Sequence, residues 1–442
     1  MAELPRMFQL PEMCEQFSPD AQLRHMLAFE AALARAQAQA GVIPPDAAEV
    51  IAAACRHELY DVSGLHRDAA ASGTVVIPLV RALTAHAGTR GAPFVHWGAT
   101  SQDVIDTALM LAMRDGLHLL ADELGRVAAE CARLADAHRR TVMAGRTLLQ
   151  HATPITFGVK AARWLALSVR RIRALNERRS STLALQFGGA AGTCAVLGDA
   201  APHVTRALGE ILQLPVPDLP WHAERDRVGD IAAAASVAAG SMSKIATDIV
   251  LLAQTEVGEV SESAPGGSSA MPQKRNPVNA TQAIAAARLC MGQLSVLMNA
   301  IPHEHERAAG SWQAEWVAVP ELFGFAAGAV HHVFRSLQGL EVHTDRMRDN
   351  LARGGGTLMA ESLAAALAPS LGRVDAHRLA GELARESAAT GDSLQQVTHR
   401  NPHVRAALAA DAIDRALDPF EYLGSSNLLI DRALAAYTEL RS

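Results

Sequence analysis

"IAAAASVAAGSMSKIATDIVLLA", residues 231–253, decides which fold is open to this chain. The stretch is long and apolar enough to suggest a membrane span, but Ser236, Ser241, Ser243, Lys244 and Asp248 break it. A span needs about 18 or more apolar residues with few or no charges. Alanine is the strongest helix former, so the stretch reads as a buried helix of a bundle. The same bias fills the chain: 49 % of residues are hydrophobic and only 4 % aromatic. Strands are enriched in aromatic and β-branched side chains, so the expected fold is all-α.

Outward from that stretch, helical spacing recurs. Over 18–41, Leu23, Met26, Leu27, Phe29, Leu33 and Ala34 form a stripe that "GVIPPD" ends. Further helices are predicted over 46–55, 104–138, 157–185, 226–260 and 276–301, with Pro277 suited to an early helical position. A helix of roughly 30 residues is about 45 Å long, so the later ones read as the spines of a bundle. Past "LARGGGT", residues 351–357, predicted helices shorten and proline and polar content rise. With 442 residues the chain has room for two or three domains. The expected division is 1–108, 109–350 and 351–442.

A net charge of −6 offers no basic footprint for nucleic acid or an anionic membrane. Small molecules and other subunits are the expected partners. The five cysteines are scattered, with no Cys/His ligand spacing, which fits a reduced cytoplasm and no structural metal. The first residues, "MAELPRMFQLPEM", lack the pattern of a signal peptide, so a soluble cytoplasmic protein is expected.

Three blocks carry more polar chemistry than a bundle needs. "HWGATSQDVIDTA", 96–108, could be a helix N-cap, with Thr100 or Ser101 capping and Asp103 near the positive dipole end. That reading leaves His96 and Gln102 without a task. "GRTLLQHATPITFG", 145–158, places Arg146, Thr147, Gln150 and His151 before Pro154, although a lone histidine is often structural. "GGSSAMPQKRNPV", 266–278, could be a flexible linker. A linker has no use for Lys274, Arg275 and Asn276 just before a helix, in a chain holding only three lysines. The loop reads as a lid that binds an anion and carries a serine made basic enough to take a carbon-bound proton. Spines this long keep the blocks apart in one subunit, so assembly is expected to bring them together.

"GSSAMPQKRNP", with the other two blocks in the same order, resembles the signature of the fumarase/aspartase superfamily, and the likeness runs through nearly the whole chain. "HEHERAAGSWQAEW", 303–316, and "DPFEYLGSS", 418–426, are most similar to its carboxymuconate cycloisomerase branch. The resemblance implies an all-α, three-domain fold with a central long-helix bundle, a homotetramer, and active sites shared between subunits. It implies no cofactor and no metal. The implied chemistry passes through an aci-carboxylate dianion formed by moving a proton alpha to a carboxylate. The resemblance assigns Ser268 as base or proton donor, Lys274 and Asn276 as stabilisers of the dianion, and His96 as the histidine of the first block. Thr100, Ser101, Thr147, Gln150, His151, Ser269, Arg275 and Arg307 fall on its substrate-binding positions. Electrostatic stabilisation of the dianion is expected to contribute most to the rate.

The departures narrow the chemistry. Where lyases releasing an amine or hydroxide usually have Thr-His, this chain has Thr147-Leu148. A carboxylate has a pKa near 4 and attacks or leaves as the free anion, so lactonisation of a carboxymuconate loses little without that histidine. Nitrite also leaves without an acid, which keeps elimination from a nitro-substituted succinate open. Adenylosuccinate-type chemistry fits less well, because the family's Arg-Tyr pair becomes Met7-Phe8 and a late arginine falls on Trp316; a phosphate needs those donors. Glu224 stands where glutamine is expected, with Arg225, Arg227 and Arg307 as compensating charges or as ordinary ion pairs. A non-catalytic relative remains a separate class, against which the retained Ser268, Lys274 and Asn276 weigh.

Overall fold

The computed structural model describes residues 5–264, 266–267 and 269–441. Ser268 therefore lies outside the described residues. Five long helices dominate: α1 (Ser101–Ala137), α2 (Phe157–Ser181), α3 (Asp226–Leu252), α4 (Val278–Ala300) and α5 (Ser311–Gln338). The longest, at 37 residues, extends about 55 Å. Among the described residues the only strands are two short antiparallel pairs, β1 (Val142–Thr147) with β2 (Gln150–Thr156), and β3 (Val260–Glu262) with β4 (Leu340–Val342). The fold is all-α.

The six helices predicted before residue 302 are all present, while Val62–Ser72, Val76–Gly91, Ala201–Leu212 and the long α5 were not predicted. The helix predicted over 226–260 stops at Leu252, because Gly258 adopts φ +62° and the Glu259 N–H turns back to the Leu252 carbonyl at 2.9 Å. Beyond it the chain is extended in β3. The second block is a β-hairpin, which helical periodicity could not reveal. Pro277 sits just before α4, its carbonyl accepting from the Thr281 N–H at 3.0 Å, so it caps the helix instead of entering it.

By packing, the chain forms two compact units: Met1–Glu123 with Arg171–Ser243 and Gln282–His331, and Leu124–Arg170 with Lys244–Thr281 and His332–Ser442. In the first, the 21-residue helix Pro19–Gln39 buries Leu23, Met26, Leu27, Phe29 and Leu33, the predicted stripe. Ser18 caps it, accepting from the Ala21 N–H at 3.2 Å. In the second, the short helices after Gly356 close their own core around Leu363, Leu367, Leu383, Val397 and Ile413. At about 25 cal/mol per Å² of apolar surface, such aliphatic clusters are the main source of stability.

By length and composition α3, α4 and α5 could each cross a membrane. Yet 72 % of the most apolar window of α5 and 50 % of that of α3 are buried within the chain, so their composition serves a bundle core. Helix α4 differs, with 33 % buried and Leu289, Met291, Val296 and Met298 exposed.

Candidate active site

The first block is held by a buried carboxylate. Asp103, two residues into α1, is fully buried. Its Oδ1 accepts from the Gly188 N–H at 3.0 Å and Gln186 Nε2 at 3.3 Å, and lies 2.8 Å from His222 Nε2. Its Oδ2 accepts from the N–H groups of Thr100 at 3.0 Å and Gly189 at 2.9 Å. The side chain of Asp103, not a threonine or serine hydroxyl, closes the helix start. Among the described residues no hydrogen bond engages the hydroxyls of Thr100 and Ser101, both half-buried, which leaves them available to a ligand.

His96 stands beside this cap with φ +57°. Its Nδ1 lies 2.6 Å from Glu30 Oε1, and Glu30 is buried on the helix Pro19–Gln39. Burial opposes the charged imidazolium, but the Glu30 charge and hydrogen bond, with help from Asp103, outweigh it and raise the His96 pKa above its usual value. A carboxylate-backed imidazolium suits a site that receives anions. Arg307 joins the block, donating from Nε to Gln102 Oε1 at 3.0 Å and from Nη2 to the Ala190 carbonyl at 3.1 Å.

Behind the block lies a buried ion cluster. Arg225, 1 % exposed, is gripped by Asp106 at 2.7 and 3.1 Å and by Glu315 at 3.0 and 2.5 Å. Trp312 Nε1 donates to Asp106 at 2.9 Å. Arg225 is thus an interhelical ion pair. Arg227 donates to the Thr182 carbonyl, and Glu224 is exposed beside an isolated bridge to Pro302. Trp316 packs edge-on against Trp312, centroids 4.8 Å apart, and lines a largely apolar cavity of about 650 Å³ with Ile105, Leu109 and Val317.

The second block is the hairpin β1–β2, whose register pairs Thr147 with Gln150 and leaves Leu148 and Leu149 as a two-residue turn. Both turn residues have positive φ, +49° and +63°, as in a type I′ turn, which favours Asn-Gly. Positive φ on a residue with a Cβ costs on the order of 1–3 kcal/mol. Both are also solvent-facing, 96 % and 71 % exposed. One residue pair from the turn, Arg146 makes a bidentate pair with buried Glu259 at 3.0 and 2.7 Å, and Asn350 Nδ2 donates to the same carboxylate at 2.8 Å. Gly145 stands opposite the bulge that Thr153 makes in β2, where a Cβ would come 2.6 Å from the Thr153 carbonyl. His151 is exposed; partial burial and the nearby Arg146 lower its pKa, with Glu259 opposing.

The third block is a loop tied at its neck. Gly266 and Asn276 exchange backbone hydrogen bonds at 3.0 and 3.1 Å, and Asn276 Nδ2 donates to the Gly267 carbonyl at 3.2 Å. A Cβ at Gly266 would collide with Val278 Cγ2, so only glycine closes the neck. Glu262 anchors the start of α4, accepting from the backbone of Asn279 and Ala280 and from Ser336 Oγ. A carboxylate there also complements the helix dipole. Lys274 and Ser269 are exposed. Lys274, Arg275 and Asn276 line a cavity of about 760 Å³ with Ser261 and His343, and Arg275 Nη2 lies 3.6 Å from Glu341.

The structure thus gathers His96, Thr100, Ser101 and Arg307 in the first unit, and places Thr147, Gln150, His151, Ser269, Lys274, Arg275 and Asn276 in the second. Sequence reasoning missed the carboxylates that hold them: Glu30, Asp103 as a hub, Glu259 and Glu262. For Glu30 a signal existed, a charge inside the apolar stripe of its helix. For Glu259 and Glu262 none did, since their donors are remote in sequence.

Residues 7–292 match the family described as Lyase, and residues 356–433 match that described as Adenylosuccinate lyase C-terminus. The chain is 45 % identical, over 98 % of its length and 96 % of the relative, to 3-carboxy-cis,cis-muconate cycloisomerase of Pseudomonas aeruginosa. It is 42 % identical to nitrosuccinate lyase of Streptomyces davaonensis, covering 94 % of this chain and 91 % of that one. The crystal structure of the 3-carboxy-cis,cis-muconate lactonizing enzyme from Pseudomonas putida superposes over 100 % of both chains with TM-score 0.92 and 42 % identity. With this likeness extending from the first helices to the last, the chain belongs to the lyase family of the fumarase/aspartase superfamily.

Proposed function

We propose that this protein is a cofactor-free cycloisomerase that lactonises 3-carboxy-cis,cis-muconate to carboxymuconolactone in aromatic catabolism. The observation that carries the reading is the 45 % identity to a protein of that name, spanning 98 % of this chain. One substrate carboxylate attacks the double bond, forming the C–O bond. The π pair moves to the neighbouring carbon, alpha to another carboxylate, and takes a proton from the Ser268 hydroxyl, which is then reprotonated from solvent. Lys274 and Asn276 stabilise the dianion formed on the way, and the His96 imidazolium adds positive charge. Thr100, Ser101 and Arg307 hold the substrate from the first block, with Thr147, Gln150 and His151 from the second. Ser269 and Arg275 flank the base. No step protonates a leaving group, which agrees with Leu148 in place of histidine.

The active protein is proposed to be a cytoplasmic homotetramer whose sites combine blocks from different subunits. The exposed Leu289, Met291, Val296 and Met298 of α4 support assembly. The segments 1–108, 109–350 and 351–442 are read as its three domains. A second reading, elimination of nitrite from nitrosuccinate, is favoured by the 42 % identity to nitrosuccinate lyase. Adenylosuccinate fits poorly, because Trp316 faces an apolar cavity where a phosphate needs charged donors. The test is a side-by-side assay of the three acids with NMR identification of products. Lactone formation with the other two untouched is the expected result, and turnover of nitrosuccinate alone would transfer the assignment to the second reading.

A further inference from the structure

Behind the first block, the buried ion cluster is short of one positive charge. Asp106 and Glu315 are buried carboxylates with Arg225 between them. Asp106 accepts from four N–H donors, two of Arg225 and one each of Trp312 and Gln102. An ionised carboxyl offers about four acceptor sites, so no place is left on Asp106 for a proton. Burial pushes the Glu315 pKa up, but its interactions with His303 and Arg225 outweigh that and hold it below its usual value. Two negative charges therefore face one guanidinium. A buried charge left uncompensated is strongly unfavourable.

Among the described residues, the ion pairs of these carboxylates run only to Arg225 and His303. The His303 side chain is wholly buried, its Nε2 lies 3.4 Å from Glu315 Oε1, and neither ring nitrogen has a well-aligned hydrogen-bond partner. A neutral imidazole would bury two unsatisfied polar atoms beside an excess of negative charge. The other charged groups around it, Glu224 across a bridge from Pro302 and Glu304, His305 and Glu306 on its own loop, are exposed to water. That loop, 301–310 between α4 and α5, also carries Arg307. A closed circuit joins the two residues, from His303 through Glu315, Arg225, Asp106 and Gln102 to Arg307.

We propose that His303 is a positioning residue: as an imidazolium it supplies the missing charge and pins its loop, so that Arg307 is held against α1. Its effect on turnover rests on the cycloisomerase reading, which assigns Arg307 to the substrate; its effect on stability does not. A histidine that gains a charged partner on folding stabilises fully below the unfolded-state value of about 6.5. That contribution is lost as pH rises through the folded-state value.

The experiment measures Tm by calorimetry, and kinetics with 3-carboxy-cis,cis-muconate, at about pH 5.5 and about pH 8.5, on either side of the ordinary histidine value. Wild type is compared with His303→Gln, which cannot become charged, and His303→Lys, which stays charged. His303→Gln is expected to lower Tm by about 3–6 °C at the lower pH and by less than about 1 °C at the higher. At the lower pH it should also raise KM with kcat near that of wild type, and His303→Lys should bring KM back. A Tm deficit equal at both pH values, or larger at the higher one, overturns the charge on His303. A pH-dependent deficit with unchanged KM overturns the positioning of Arg307, and so does a KM in His303→Lys raised as far as in His303→Gln. A wild type that leaves this acid untouched removes the cycloisomerase reading and the effect on turnover with it, while the Tm comparison still decides the charge.

Discussion

Replacing Asp103 with asparagine tests whether a buried carboxylate organises the first block. The change keeps size and shape but turns one acceptor oxygen into an NH₂ donor. If the NH₂ takes the Oδ2 position, it meets the N–H groups of Thr100 and Gly189, now at 3.0 and 2.9 Å from an acceptor; at the Oδ1 position it meets three donors. At least two hydrogen bonds to a charged acceptor are lost, each worth about 1.5–3 kcal/mol, so the cost is about 3–6 kcal/mol. For 442 residues an unfolding entropy near 2.1 cal/mol/K per residue gives about 0.9 kcal/mol/K. Scanning calorimetry should then show Tm lower by about 3–6 °C. The lactone assay should show a raised KM, because Thr100 and Ser101 sit on the loosened cap. A Tm within about 1 °C of wild type, together with an unchanged KM, would refute the hub.

Glu30→Gln should move the pH dependence of substrate binding. The raised His96 pKa keeps its charge above the ordinary value. Its stabilising contribution is therefore complete below the unfolded-state pKa of about 6.5 and is lost as pH rises through the folded-state value. Without the Glu30 charge, burial dominates and the pKa falls, so the pH at which KM begins to rise should drop; an unshifted profile excludes His96 as the titrating group. Gly266→Ala forces a Cβ into Val278 at a cost of about 1–3 kcal/mol, and turnover should fall far more than Tm, as parallel kinetics and calorimetry would show. Ser268→Ala should reduce turnover by about 100- to 10,000-fold without changing the oligomer by light scattering; near-normal turnover would remove Ser268 from its role. Leu148→His should leave lactonisation no faster in the same assay, since no leaving group needs a proton.

The bundle was legible in the sequence because its signal is local. Alanine-rich helical stripes such as Leu23, Met26, Leu27 and Leu33 repeat within a few residues and bury as expected. The loop 266–278 stood out for the same reason: glycine, serine, lysine, arginine and asparagine lie close together in the sequence. What the tertiary structure alone decided is which groups hold the others in place. Asp103 finds Gly188, Gly189 and His222 more than 80 residues away. Arg146 finds Glu259 at a separation of 113, and Arg225 proves to be sealed between two carboxylates instead of facing a substrate. Long-range ion pairs leave no periodic trace, since either partner could sit anywhere on a charged surface until the fold removes the water between them. The hairpin turn is the remaining case: nothing in "TLLQ" announces positive φ, and only the pairing of Thr147 with Gln150 forces two leucines into that conformation and out of the core.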